Sequence, residues 1–243
     1  MEILSSTLVA ICTFNERENL PSLVEAIRKE LPDADILIVD DNSPDGTGTW
    51  CDEQAAQYDW FSVLHREGKL GLGTASWLAL QTGVERNYDC IITMDADWSH
   101  PPEAMSRMIE VGSKADVVIG SRYCPGGKID GWPYSRYLVS RMVNAATRLS
   151  LGLPARDCST AYRLYRVDSL RQLDFTKLKA TGYSYLEEIL WQLIRNGATV
   201  KEVPITFSER RAGASKVTFG EAVGKARTLF SLAWRRLTGH SKA

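Results

Sequence analysis

Residues Cys90-Ile-Ile-Thr-Met-Asp-Ala-Asp-Trp-Ser-His-Pro-Pro-Glu103 decide the fold. The apolar run from Cys90 to Met94 reads as a buried strand, and it ends in two carboxylates, Asp95 and Asp97. In open α/β sheets, ligands gather at the carboxyl ends of the strands. Hard divalent cations such as Mg²⁺ or Mn²⁺ take oxygen ligands, commonly carboxylates together with substrate phosphates, so Asp-x-Asp at a strand end suits a metal-bridged diphosphate. The same carboxylates also suit a cap for a helix beginning near Pro101, because Asp and Pro favour helix starts. The motif alone leaves both readings open, and its surroundings must decide.

Outward from it, apolar β-rich runs alternate with helical patterns. Thr7 to Cys12, Ile36 to Val39, Phe61 to Leu64, Cys90 to Met94 and Val117 to Gly120 read as buried strands. Leu20, Leu23, Val24, Ile27 and Leu31 fall on one helical face behind Asn19 as a cap and Pro21 in the first turn. Further helices are expected from about Gly73 to Arg86, Pro102 to Ser113, Tyr134 to Leu151 and Tyr185 to Asn196, and a strand pair around Ala161 to Tyr165 and Thr199 to Pro204. Strands alternating with helices imply a mostly parallel sheet with helices on both faces. No internal repeat or linker interrupts the pattern, and the Gly- and Pro-rich stretch Tyr123-Cys-Pro-Gly-Gly-Lys-Ile-Asp-Gly-Trp-Pro133 reads as a long functional loop.

Composition narrows the function. The chain has 243 residues, 44% hydrophobic and 24% charged, with a net charge of -1, which argues against a nucleic-acid binder. The charge is uneven: Lys201 to Ala243 carries a local +6, leaving the rest at -7. Five widely spaced cysteines without Cys-x-x-Cys point to a reduced compartment and inert thiols. The start of the chain lacks a basic n-region and an apolar h-region, so no secretory signal is expected, and no run approaches the ~18 apolar residues of a membrane span.

A second acidic strand end appears in Val39-Asp-Asp-Asn-Ser-Pro-Asp-Gly-Thr47, where Asp40 and Asp41 precede a turn. Such carboxylates can accept hydrogen bonds from a base N–H or from ribose hydroxyls, and this repetition favours a ligand role over simple capping. Thr13-Phe-Asn-Glu16 adds an aromatic face for a nucleobase. Gly68-Lys-Leu-Gly-Leu-Gly-Thr-Ala75 lacks the third glycine of a dinucleotide fingerprint and reads as a loop passing close to a backbone or phosphate. Arg122, Arg136, Ser140, Arg141, Arg210 and Lys216 stand in or beside loop-like stretches, where arginine forks match phosphate oxygens. His65, His100 and His240 form no zinc spacing. From Phe219 to Leu237, apolar residues at helical spacing accompany Lys225, Arg227, Trp234, Arg235 and Arg236. That pattern fits either a helix lying on an anionic membrane or a terminal helix packed on the core.

With these motifs assembled, the chain resembles dolichyl-phosphate mannose synthases (polyprenyl-phosphate mannosyltransferases), inverting GT-A enzymes of glycosyltransferase family 2. The resemblance runs from about Ser6 to Lys216 and also includes Gly120-Ser-Arg-Tyr123, Asp157-Cys-Ser-Thr-Ala-Tyr-Arg163 and Glu209-Arg-Arg-Ala-Gly-Ala-Ser-Lys216. Cys12, Phe14, Asn42 and Ser99 depart from residues common in the family, as does the stretch Cys158 to Tyr162.

The resemblance implies a Rossmann-like GT-A catalytic domain over 1–216; beyond it, 217–243 is expected from its own residues as an amphipathic helix and tail, suited either to a membrane surface or to packing on the core. The resemblance also implies that Phe14, Glu16, Ile38 and Asp40 hold the nucleoside of GDP-mannose and that Asp95, Ala96 and Asp97 contact the diphosphate. Asp95 and Asp97 would bind Mg²⁺ or Mn²⁺. Arg122, Arg136 and Ser140 would receive the phosphate of a polyprenyl or dolichyl acceptor. Arg210 and Lys216 would close over the phosphates, and Asp157 would be an auxiliary carboxylate, so that Asp97, Arg122, Arg136 and Asp157 form the catalytic set. The expected product is polyprenyl-phosphate β-mannose, made at the cytoplasmic face of a membrane, with a small membrane subunit as a further expected partner. The alternatives are a glucosyltransferase using UDP-glucose and a non-catalytic nucleotide-binding protein recruited to a membrane.

Overall fold

The computed structural model describes residues 4–180, 182–209, 228, 231–234 and 236. A seven-stranded sheet forms its centre. The strands are β1 (Thr7–Thr13), β2 (Asp35–Asp40), β3 (Phe61–His65), β4 (Cys90–Asp95), β5 (Val117–Ser121), β7 (Arg163–Arg166) and β8 (Val200–Pro204), in the spatial order β3-β2-β1-β4-β7-β5-β8. Only β7 runs antiparallel to its neighbours in this sheet. Two short strands, β6 (Lys128–Ile129) and β9 (Thr206–Phe207), pair in parallel beside it.

The strands are apolar throughout because both of their faces are covered. Along β1, Leu8 and Ala10 point into one core and Val9 and Ile11 into the other, as the two-residue strand period requires. Helices α3 (Leu72–Glu85) and α7 (Tyr185–Arg195) cover the first face, while α1 (Leu20–Glu30) and α4 (Met105–Gly112) cover the second. Helix α1 buries Leu20, Leu23, Val24 and Ile27, the face anticipated from its spacing. Asn19, however, makes no side-chain cap and donates instead to Glu16 Oε2 at 2.9 Å. Helix α3 lies so close to the sheet that a Cβ at Gly83 would fall 2.3 Å from Ile91 Cδ1.

Further helices are α2 (Thr47–Gln57), α5 (Tyr134–Leu151) and the short α6 (Val167–Leu170). Helix α2 was not anticipated; it buries only Thr47, Gly48 and Cys51, too few for a readable stripe. The expected strand pair is corrected. β7 and β8 do not pair with one another, because β5 lies between them and uses both of its edges. Helix α5 has the expected bounds but an unexpected environment: Asn144, Thr147 and Leu151 are its buried residues, while Leu138, Val139, Met142, Val143 and Leu149 are exposed. No described helix is long and apolar enough to cross a membrane.

Candidate active site

Parallel register brings the acidic strand ends together. Thr13 lies opposite Asp40, and Cys12 lies opposite Asp95, so β2, β1 and β4 deliver their last residues side by side. Asp40 is 1% exposed and committed to holding this edge in shape. It accepts from Thr13 Oγ1 at 3.1 Å, Ser43 Oγ at 2.5 Å and Ser43 N at 3.0 Å. The loops after β1 and β2 are then laced together by Asn15 N to Ser43 Oγ, Glu16 N to Thr47 Oγ1 and Arg17 N to Asp45 Oδ2, at 2.9–3.1 Å. Ile38 is fully buried in the core below this floor. Phe14 stands half-buried at its rim with the Lys69 ammonium 4.0 Å from its ring centroid.

The glycine-rich loop is tied to the same edge. Arg66 pairs with Asp41 at 2.8 Å and donates to Thr74 Oγ1 at 2.7 Å, bridging the two ends of the loop. Burial pushes the Asp41 carboxyl above its usual range, against the pull of Arg66. Gly71, with φ +100°, supplies the turn into α3.

At β4, the Asp95 carboxylate is 41% exposed, whereas Asp97 is buried and accepts from Ser99 N at 3.1 Å. Ala96, also buried, spaces them. Trp98 between Asp97 and Ser99 adopts φ +66°, an uncommon conformation for a bulky residue, of the kind that concentrates at functional sites. His100 buttresses the turn: its Nδ1 accepts from Asp95 N at 3.0 Å, and its ring stacks on Tyr162 with centroids 5.1 Å apart. Burial pushes its pKa down to about 4, so the imidazole stays neutral and structural.

The donor set fits a hard cation. Asp95 and Asp97 offer carboxylate oxygens, and Ser99 Oγ is a buried hydroxyl with no hydrogen-bond partner among the described residues. No cluster of three or more His, Cys, Asp or Glu able to hold a metal occurs among those residues, so the rest of the coordination shell would come from phosphate oxygens or water. The thiol at Cys12, beside this edge, is pushed up to about 12 by burial and stays protonated.

Across the site lies a cationic half. Arg122, 8% exposed, forks onto Asp157, which is 0% exposed, through Nε–Oδ2 and Nη2–Oδ1 contacts of 2.7 Å each. Its Nη2 also reaches Ser159 Oγ at 2.9 Å. Burial alone would push the Asp157 carboxyl up; the Arg122 hydrogen bonds and charge outweigh it and hold the group below the usual carboxylate range. Burial likewise opposes charge on Arg122, and Asp157 more than restores it. Glu202 on β8 accepts from Arg156 N and Asp157 N at 3.0 Å each, fixing this segment. Asp157 is thus the partner of Arg122 rather than an open base.

Aromatic rings surround the guanidinium: Tyr123 at 5.2 Å, Phe207 at 5.2 Å and Trp132 at 5.8 Å. Arg136, on the first turn of α5, stacks 4.0 Å from the Trp132 centroid and meets Glu209 at 3.3 Å. One turn on, Ser140 accepts from Tyr123 OH at 2.7 Å. Trp132, Ser135, Arg136, Val139 and Ser140 line a shallow groove. The two halves meet at Phe207, whose ring lies 5.7 Å from His100 and 5.2 Å from Arg122. Arg210 and Lys216 lie outside the described residues, as does most of the expected terminal helix.

Trp132, Phe207 and the exposed face of α5 were not singled out from sequence. Trp132 carried a readable signal, an aromatic ring four residues before Arg136.

The chain is similar to known proteins. The sequence model described as Glycosyl transferase family 2 matches residues 8–174. The polyprenol monophosphomannose synthase of Mycolicibacterium smegmatis is 44% identical over 214 residues, covering 87% of this chain and 81% of its own. The undecaprenyl-phosphate mannosyltransferase of Micrococcus luteus is 44% identical over 219 residues, covering 90% of each. Among solved structures, glucosyl-3-phosphoglycerate synthase from Mycobacterium tuberculosis, in complex with Mn²⁺, uridine diphosphate and phosphoglyceric acid, superposes with a TM-score of 0.66. It shares 19% identity, over 96% of this chain and 78% of that one, which speaks to the fold alone. The chain therefore belongs to glycosyltransferase family 2, built on the GT-A fold.

Proposed function

We propose that this glycosyltransferase moves mannose from GDP-mannose to a polyprenyl phosphate, giving polyprenyl-phosphate β-mannose and GDP with inversion at the anomeric carbon. The observation that carries this reading is the juxtaposition of a two-carboxylate strand end with an arginine and aromatic anion site whose helix bears an exposed apolar face. The names of the two curated relatives, a polyprenol monophosphomannose synthase and an undecaprenyl-phosphate mannosyltransferase, support mannose transfer to a polyprenyl phosphate.

Phe14 offers the base a ring, Glu16 stands beside it, and Asp40 shapes the edge on which the nucleoside rests. Asp95 and Asp97, with Ser99 nearby, would hold Mg²⁺ or Mn²⁺, which neutralises charge on the departing diphosphate when bound. Arg122, Arg136 and Ser140 hold the acceptor phosphate. A phosphate oxygen attacks the anomeric carbon as the bond to the GDP oxygen breaks on the opposite side. The nucleophile is already an anion, so no general base is needed, which agrees with Asp157 being engaged by Arg122. Arg210 and Lys216 remain proposed phosphate ligands.

Membrane access follows from α5. Leu138, Val139, Met142, Val143 and Leu149 form an outward apolar face on the helix that carries Arg136, Arg141 and Arg148. Apolar residues interleaved with arginines suit the surface of an anionic bilayer, where the lipid acceptor resides. Five free thiols agree with a reducing, cytoplasmic side.

The test is incubation of purified protein with GDP-mannose or UDP-glucose, a short polyprenyl phosphate and Mn²⁺ or Mg²⁺, following the lipid product by mass. Mannolipid formed with GDP-mannose and lost in Asp97→Ala supports the reading. Glucolipid from UDP-glucose moves the assignment to the neighbouring donor, and nucleotide binding without turnover of either donor counts against catalysis of this kind.

A further inference from the structure

We infer that Trp132 is a positioning residue for the acceptor phosphate, holding Arg136 in place while leaving its hydrogen-bond donors available. The inference rests on the acceptor assignment above and adds a residue and a role to it. The two arginines of the cationic half are fixed in different ways. Arg122 is buried and clamped by Asp157 and Ser159, which occupy Nε and Nη2 and leave Nη1 without a bond among the described residues. Among the described residues, Arg136 has no such clamp. Its ion pair with Glu209, at 3.3 Å, joins side chains that are 45% and 54% exposed, and pairs of that kind hold a long flexible side chain weakly.

What remains is the indole of Trp132, 4.0 Å from the Arg136 guanidinium and 5.8 Å from that of Arg122. Stacking acts on the face of the guanidinium and does not consume its N–H groups. A carboxylate clamp on Arg136 would compete with an incoming phosphate; a ring does not. The ring is itself held: Phe207 meets it edge-on at 5.6 Å, and Pro133 follows it directly at the start of α5. Its proximity to both cations lets one side chain set their spacing on a single phosphate. Trp132 touches neither the donor carboxylates nor the glycine-rich loop in any contact described, so its loss should be felt on the acceptor side.

The experiment compares wild type, Trp132→Leu, Trp132→Phe, Arg136→Ala and the double variant Trp132→Leu/Arg136→Ala in the mannolipid assay, with KM measured separately for donor and acceptor. Trp132→Leu is expected to raise the acceptor KM by about two- to fivefold, the scale of a solvent-exposed cation–π contact, while the donor KM and kcat move far less. Trp132→Phe keeps a ring and should recover most of the loss. In the Arg136→Ala background the Leu substitution should add little, because the group it positions is gone. Equal rises in both KM values, a fall confined to kcat, or full additivity with Arg136→Ala would overturn the inference. If Trp132→Leu does not fold, the Phe variant and its own cycle with Arg136→Ala carry the test. Wild-type protein that transfers no mannose to the lipid phosphate sinks the functional reading itself; normal transfer with an acceptor KM indifferent to Trp132 sinks the positioning role alone.

Discussion

The two halves of the site, to which the proposed function assigns donor and acceptor, handle charge in opposite ways. On the donor side, three parallel strand ends bring together carboxylates, and the loops beneath them are laced by short hydrogen bonds around a fully buried Asp40. On the acceptor side, cations stand among rings, one locked to a buried carboxylate and the other stacked at the surface. The first half is rigid because strand register builds it. The second depends on a loop and a helix whose outer face is left uncovered. A reaction between two anions needs both: a place where a cation screens the leaving diphosphate, and a place where an incoming phosphate is drawn without a competing base.

The largest effect should come from the donor half. Asp97→Ala is expected to lower turnover by about 10²- to 10³-fold, since removal of one preorganised charge-stabilising group commonly costs this much. Steady-state rates with unchanged circular dichroism check it. If Asp97→Ala retains more than a tenth of the activity, the strand-end carboxylates are not the centre of the chemistry and the contrast between the halves collapses.

The next effect concerns stability. Asp157→Asn leaves Arg122 buried with a poorer partner, and breaking such a pair costs about 3–5 kcal/mol. The Asp157 carboxyl is held below its ordinary value in the folded protein. Its contribution is therefore fully present above the unfolded value of about 3.9 and fades as pH falls through the lower folded value. Urea denaturation at pH 7 and at progressively lower pH should show the gap between wild type and Asp157→Asn closing only below about pH 4. A gap independent of pH would mean that the pair does not carry the stability assigned to it.

A third prediction separates surface from site. Met142 and Leu149 are 63% and 77% exposed, so the double variant Met142→Glu/Leu149→Glu should leave stability within about 1 kcal/mol of wild type. Binding to anionic liposomes should nevertheless fall by at least about tenfold, because two apolar side chains no longer enter the interface. Co-sedimentation with vesicles checks it. Unchanged binding would return membrane contact to the terminal segment.

How much of this was legible in the sequence follows from the same division. The carboxylate half was readable because β2 and β4 are apolar runs ending in Asp40 and Asp95, and parallel register with β1 between them needs no more information to bring those ends together. The bounds of α5 were readable too, set by Pro133 ahead of it and Gly152 behind. Its exposure was not, since an apolar stripe looks the same whether it meets a core or a membrane. Asp157 and Arg122 lie 35 residues apart, and their pairing depends on β7 entering antiparallel between β4 and β5. Nothing in local periodicity marks that insertion. Arg210 and Lys216, expected from resemblance, fall outside the described residues.

The smallest effect should come from Glu209, where the two ways of holding an arginine can be compared directly. Its ion pair with Arg136 is exposed, so Glu209→Gln should change stability by no more than about 1 kcal/mol. The same carboxylate, however, accepts from Arg136 Nη1, an N–H that the proposed acceptor phosphate would use, and removing its charge should lower the acceptor KM by about two- to fivefold at low salt. Screening shortens the reach of exposed charges to ~3 Å at 1 M salt, so the advantage should disappear there. Asp157 offers no such relief, because its removal costs the buried cation its partner and lowers stability. If Glu209→Gln instead raises the acceptor KM, Arg136 is held by its carboxylate as Arg122 is, and the difference between the two arginines, including the role given to Trp132, does not stand.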